Sequence, residues 1–224
     1  MMSSTSDSIL TRLNSILPLP ARQRALPSGL QAVHRVFLAS LVEHGKVPAD
    51  QELAALAPGG DVAGAVRTLT ANDLIVVDGN GAPVGAYPVT LERTPHRVRV
   101  EGRDLYAMCA FDALAIAPVF GKHVETWTRC PITGREIFIE QRGNTLVTAS
   151  PGTDIQIGVA FRDPQQVAAR NLCSGMIALS DRPSALAWQG AHSDTHAFAP
   201  LDEAIDMATR FFRPLITGEA MNAG

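Results

Sequence analysis

The four residues Asp78-Gly79-Asn80-Gly81 constrain the fold of this chain more than any other feature. They separate the apolar run Leu74-Ile75-Val76-Val77 from residues 82–87. Tight hairpin turns need positive φ, which Gly and Asn adopt at least cost, so the pattern reads as a β-hairpin. The chain before it has a helical period. Ile9, Leu10, Leu13, Ile16 and Leu17 share one face of a helix over residues 7–17. Pro18, Pro20 and Pro27 then read as a linker. Ser28 is placed to cap a helix that runs to Glu43 and is closed by His44-Gly45. Residues 49–56 and 61–72 read as two short helices around Pro58-Gly59-Gly60. Helices followed by a hairpin give the outline of a winged helix–turn–helix over residues 1–87.

Beyond Tyr87 the pattern changes. Residues 97–101, 123–127, 136–140, 145–149 and 156–161 read as short strands between turn residues. Residues 103–117 read as an apolar helix ending before Pro118. Asp163-Pro164 signals the start of a helix to about Leu172, and residues 201–216 a terminal helix stopped near Gly218. The expected class is α+β: a helical, winged-helix-like domain over 1–87, then a mixed-sheet domain with flanking helices over 88–224.

Composition narrows the possible functions. Hydrophobic residues make up 46% and charged residues 18%, enough apolar material for a packed core rather than a disordered chain. A net charge of -3 gives no general attraction to nucleic acid or anionic membrane. The candidate recognition helix, residues 61–72, carries Arg67 as its one basic residue, whereas phosphate contacts dominate DNA affinity. Neither a nucleic-acid nor a membrane partner is expected. The longest apolar stretch, residues 105–120, is interrupted by Asp112 and Pro118. The Ser/Thr-rich residues 1–7 lack the basic-then-apolar order of a secretory signal, so the cytoplasm is the expected address. Three cysteines form no disulfide framework and are expected as thiols.

Chemistry concentrates in Leu105-Tyr106-Ala107-Met108-Cys109-Ala110-Phe111-Asp112. Cys109 and Asp112 are three apart and would share a helix face. A carboxylate within an apolar helix is costly to bury without a partner, and a thiol can be one. Cys173 lies in Arg170-Asn171-Leu172-Cys173-Ser174-Gly175, where Ser174 and Gly175 leave room for a ligand. Each cysteine taken alone is read more simply as packing. Cys130, in Cys130-Pro131-Ile132-Thr133-Gly134, reads as a small buried residue at a turn. Met108, Tyr106 and Phe111 are core residues by default and pocket lining by their position beside Cys109. His192 and His196 have the four-residue spacing of a zinc pair, but residues 190–195 read as loop and no adjacent Glu completes a zinc-protease motif. His123 reads as a surface residue.

Together these segments resemble the bacterial organomercurial lyase (alkylmercury lyase) family over nearly the whole chain. Residues 105–112 are similar to its Leu-Tyr-Ala-Trp-Cys-Ala-Leu-Asp segment, Cys130-Pro-Ile-Thr-Gly134 to its Cys-Ala-Ala-Thr-Gly turn, and Cys173 falls where the family has a second catalytic cysteine. The chain departs from the family at Met108, where tryptophan is common, and at residues 174–179, which replace a His- and Phe-rich run.

The resemblance implies cleavage of a carbon–mercury bond to give a hydrocarbon and Hg(II). Cys109, Cys173 and Asp112 would bind the metal, the two cysteines as nucleophiles and Asp112 also as the proton shuttle, and Cys130 would be structural. Soft Hg(II) prefers thiolate sulfur, which suits this donor set. An organomercurial is the implied substrate and mercuric reductase a possible acceptor of Hg(II). No organic cofactor is expected, since the chain has no Rossmann or P-loop glycine motif. The alternatives are a relative acting on another soft-metal or sulfur compound, and a thiol-based metal-responsive regulator.

Overall fold

A computed structural model describes residues 4–162 and 167–218. The N-terminal part holds α1 (Ser4–Ile16), α2 (Leu19–Arg24), α3 (Ser28–His44), α4 (Asp50–Ala54) and α5 (Val62–Ala71). It continues into the hairpin β1 (Val76–Val77) and β2 (Pro83–Ala86), then β3 (Val89–Thr90), β4 (Arg97–Val100) and β5 (Arg103–Ala107). Next come α6 (Ala110–Phe120), β6 (His123–Arg129), β7 (Glu136–Arg142), β8 (Thr145–Ser150) and β9 (Gln156–Ala160). The chain closes with β10 (Met176–Leu179), α7 (Arg182–Gln189), β11 (His196–Pro200) and α8 (Leu201–Thr217). No described helix is long and apolar enough to cross a membrane.

The first eight strands form one sheet in the order β1-β2-β3-β5-β4-β6-β7-β8, and β10-β9-β11 form a second. The α+β class holds, with helices α3 to α5 and the hairpin in winged-helix order. The expected mixed sheet is not found, because every described pairing is antiparallel. Short turns between successive strands suffice for that arrangement, whereas adjacent parallel strands need long crossovers. β4 pairs with both β5 and β6, so β5-α6-β6 is a crossover with β4 inserted between its strands. The large sheet runs on across residue 87, since β2 pairs β3 and β3 pairs β5.

The crossover makes α6 the centre of the molecule. Residues 110–118 are all buried, which explains a helix that is apolar all round. α8 covers it with an amphipathic face: Leu201, Ala204, Ala208, Phe211 and Leu215 point inward while Asp202 and Asp206 face out. The Phe111 ring meets Phe211 edge-on at 6.0 Å and Phe212 at 6.1 Å. α3 stops where Gly45 takes φ 64° and its N–H caps the Leu41 carbonyl, a left-handed closure that glycine adopts without strain.

Three sequence expectations need correction. Residues 103–117 are not one helix: Leu105 and Ala107 point inward in alternation on β5, and the helix starts at Ala110. Nor does it end before Pro118. The missing N–H of Pro118 would orphan the Leu114 carbonyl, but the Gln141 side-chain amide donates to it at 3.2 Å. Residues 18–27 are more than a linker: α2 begins with proline in its first turn, and Gln23 is buried, donating to the Leu215 carbonyl at 2.8 Å. The Asp163-Pro164 start signal lies outside the described residues. Downstream, Val167 is extended and residues Ala168–Arg170 make a single 3-10 turn, so no helix runs on to Leu172. β10, α7 and β11 had no counterpart in the sequence reading.

Candidate active site

Cys109 is the residue before α6 and acts as its N-cap, in extended conformation. Its sulfur accepts the Asp112 N–H at 3.3 Å, and its thiol donates to Asp112 Oδ2 at 2.9 Å. This resembles a capping box with sulfur in place of the usual hydroxyl. The three-residue spacing thus brings Cys109 and Asp112 together, but through the helix cap rather than along a shared helical face.

Cys173 opens the 3-10 turn Cys173–Gly175 ahead of β10, and its thiol lies 3.7 Å from the same Asp112 oxygen. The turn packs tightly on β9. A Cβ on Gly175 would stand 2.8 Å from the Ala160 Cβ, so glycine is required there. The ligand atoms of Cys109, Asp112 and Cys173 all lie within 4.8 Å of one another, and all three residues are buried. Among the described residues this is the one cluster of three or more His, Cys, Asp or Glu side chains able to share a metal ion.

Burial governs the protons here. It pushes the Cys109 thiol well above its ordinary range, and Cys173 and Asp112 add to the effect. The Cys109 thiol favours the Cys173 thiolate, but burial and the Asp112 and Asp73 charges outweigh it and push Cys173 up to about 11. Burial raises Asp112 to about 7, against hydrogen bonds from Cys109 and Cys173 that favour its carboxylate. The metal-free site therefore keeps its thiols protonated, and a metal must displace those protons to bind. Asp112 is the group poised to take one.

The sequence reading missed what holds the Cys173 segment. Asp73, in left-handed conformation at φ 57°, accepts the Tyr87 hydroxyl at 3.0 Å and the Ala168 N–H at 3.0 Å. Tyr87 in turn accepts the Ala169 N–H at 2.6 Å, and Arg22 lies 3.6 Å from Asp73. Arg170 reaches back to Glu92 at 3.0 Å. The N-terminal part thus grips the turn that leads into Cys173. Asp73 alone in its short stretch carried no signal beyond its position after the α5 helix.

Other candidates separate cleanly. Met108 lines a small cavity of about 90 Å³ with Val76, Thr90, Glu92, Arg93 and Arg170. Phe111 packs into the core instead, and Tyr106 is half-buried on β5. Cys130 is buried at the turn after β6. Burial opposes its ionisation, but the Thr133 hydroxyl and the N–H groups of Thr133, Ser180 and Ile132 outweigh it and bring the thiol down to about 7. Thr133 also meets Ser180 at 3.2 Å, so this turn joins the two sheets. His123 is half-buried and pairs with Glu140 at 2.8 Å. The His192 and His196 rings stand 5.3 Å apart, and no third ligand completes a cluster with them among the described residues. In α5, Arg67 faces its own cap residue Asp61 at 3.9 Å.

A buried dithiol and carboxylate at a helix cap, in an α+β fold, form a donor set suited to a thiol-seeking ion. The family model for alkylmercury lyase matches residues 89–213, more than half of the chain. The chain is 27% identical over 179 residues to the alkylmercury lyase of Staphylococcus epidermidis, covering 80% of each protein. It is 25% identical over 134 residues to that of Pseudomonas putida, covering 60% of this chain and 62% of the relative. A crystal structure of the mercury-bound form of MerB2 shares the fold with a TM-score of 0.74 at 18% identity, over 96% of this chain and all of that one. The chain belongs to the alkylmercury lyase family, whose members cleave the carbon–mercury bond.

Proposed function

We propose that this chain cleaves organomercurials by protonolysis at Cys109, Cys173 and Asp112. The observation that carries the assignment of residues is the buried convergence of two sulfurs and one carboxylate oxygen within 4.8 Å. An incoming R–Hg–X exchanges X for one cysteine sulfur, releasing HX. The second thiol passes its proton to Asp112 and joins the metal. Two thiolates raise electron density at mercury and weaken the Hg–C bond. Asp112 then delivers its proton to carbon. The balance is R–Hg–X plus two thiols giving R–H, HX and Hg(II) held by two thiolates. No organic cofactor takes part.

The free thiols suit a reducing compartment, and we place the activity in the cytoplasm. Hg(II) would leave by thiol exchange, either to small thiols or to mercuric reductase. The N-terminal residues 1–87 serve as a packing domain that braces the Cys173 turn, with residues 88–224 as the catalytic domain.

The test is phenylmercury or methylmercury turnover by Cys109→Ala and Cys173→Ala. Each should abolish hydrocarbon release while the circular dichroism stays native. Full turnover by either variant sinks the assignment.

A further inference from the structure

A third sulfur stands in this site. Met176 Sδ lies 3.6 Å from Cys109 Sγ, and Met176 is buried at 3% exposure. It is the first residue of β10, paired with Val159 of the central strand β9, three positions past Cys173. The sheet therefore fixes its backbone, and burial leaves the thioether little room to swing away. The Cys109 thiol has two acceptors before it, Asp112 Oδ2 at 2.9 Å and Met176 Sδ at 3.6 Å. An ion that replaces the thiol proton enters the space facing both.

Building on the proposed reaction at Cys109 and Cys173, we propose that the Met176 thioether is a third sulfur donor to the mercury those two cysteines hold. Geometry and chemistry agree on this. With metal–sulfur bonds of about 2.3 Å or longer, two sulfurs on one metal stand up to ~4.6 Å apart, and the observed 3.6 Å fits within that span. Thioether sulfur is soft and polarisable, so it suits the same ions as thiolate. It is also neutral. A third thiolate would add charge to a site where burial already resists ionisation, whereas a thioether adds electron density with no proton to displace. The donation is a lone pair only: no atom is transferred and no redox step is involved. A weak third donor would support the metal as the Hg–C bond breaks, and would still leave the two-thiolate product open to exchange.

X-ray absorption at the mercury edge and methyl NMR test this. One equivalent of HgCl₂ is added to wild type and to Met176→Leu, a swap of similar volume that buried sites tolerate. The wild type should show two short Hg–S contacts and a third, longer one that is absent in Met176→Leu. In protein labelled at the methionine methyl carbons, the signal missing from Met176→Leu should be the one that shifts when mercury binds the wild type, and it should stay still in Cys109→Ala. Mercury held by two sulfurs only in the wild type, with the Met176 methyl unmoved, overturns the third donor and leaves the dithiol reading standing. Mercury that does not reach the cysteines overturns both. The wild-type spectra decide the matter even if the variant folds poorly.

Discussion

Asp112 Oδ2 stands 2.9 Å from the Cys109 sulfur, while the Asp112 N–H points back at that sulfur from 3.3 Å. One residue thus offers the cysteine both a proton acceptor and a backbone donor. The acceptor suits the thiol and the donor suits the thiolate, so the pair can trade a proton without rearranging. Asp112→Asn keeps the shape and removes the shuttle. It should bind mercury through the cysteines yet release hydrocarbon ~10²–10⁴-fold more slowly. Bound metal and methane are to be measured together, and wild type in D₂O should give singly deuterated methane. A variant that cleaves at near wild-type rate would show that Asp112 is not the donor.

Rate should follow the ionisation of Asp112. Burial raises it to about 7, and only the carboxylate can take a thiol proton. kcat/KM should therefore climb with pH, roughly tenfold per unit below the inflection, and level off above about 7. A profile that is flat from pH 5 to 8 would rule this out.

Stability should show the same group with opposite sign. Asp112 rises from 3.8 unfolded to about 7 folded, so its contribution is complete below 3.8 and is lost as pH climbs through about 7. His34 and His96 are driven by burial from 6.5 down to about 4, so their contribution is complete above 6.5 and is lost as pH falls through about 4. Burial keeps His34 neutral and Gln23 donates to its Nδ1 at 2.7 Å, while the Leu74 carbonyl 3.1 Å from its Nε2 works the other way. Each histidine should withdraw roughly 3 kcal/mol by pH 4, and Asp112 offsets part of that loss in the wild type. Urea unfolding at pH 7, 5.5 and 4 should show a steeper acid loss in Asp112→Asn. Parallel curves for the two proteins would contradict the linkage.

Tyr87→Phe removes the acceptor of the Ala169 N–H and one donor to Asp73. Leaving such buried groups unpaired costs about 1–3 kcal/mol. Because the loosened turn carries Cys173, turnover should fall even at temperatures where the variant is fully folded. Denaturant midpoints and single-turnover rates separate the two effects. Lost stability with an unchanged rate would confine Tyr87 to a packing role.

Cys130→Ser should cost stability alone. It disturbs a buried sulfur held by the turn at residues 130–134 and by Ser180, so a loss of about 1 kcal/mol is expected with turnover kept. Unchanged melting with lost turnover would move Cys130 into the chemistry.

What could be read directly from the residues was local. The hairpin at Asp78–Gly81 follows from turn chemistry, and α8 from its apolar period. The nearness of Cys109 and Asp112 follows from a three-residue spacing that survives even though the cap, not the helix interior, provides it. The boundary at residues 107–110 was misread because Leu105, Ala107 and Phe111 suit either period until β4 is there to pair with β5. The local pattern around Cys173 was weak, and only family resemblance joined it to Asp112, 61 positions away. The Asp73 link to Ala168 spans 95 positions and the Met176 approach to Cys109 spans 67. Local preferences act through backbone angles and neighbours one or two turns away, so the sequence by itself determined many of the elements and one half of the site. Pairing of β9 with β10 and packing of α6 beneath them decided which sulfurs meet. Those contacts arise from burial summed over the whole core, and no short stretch of sequence contains that sum.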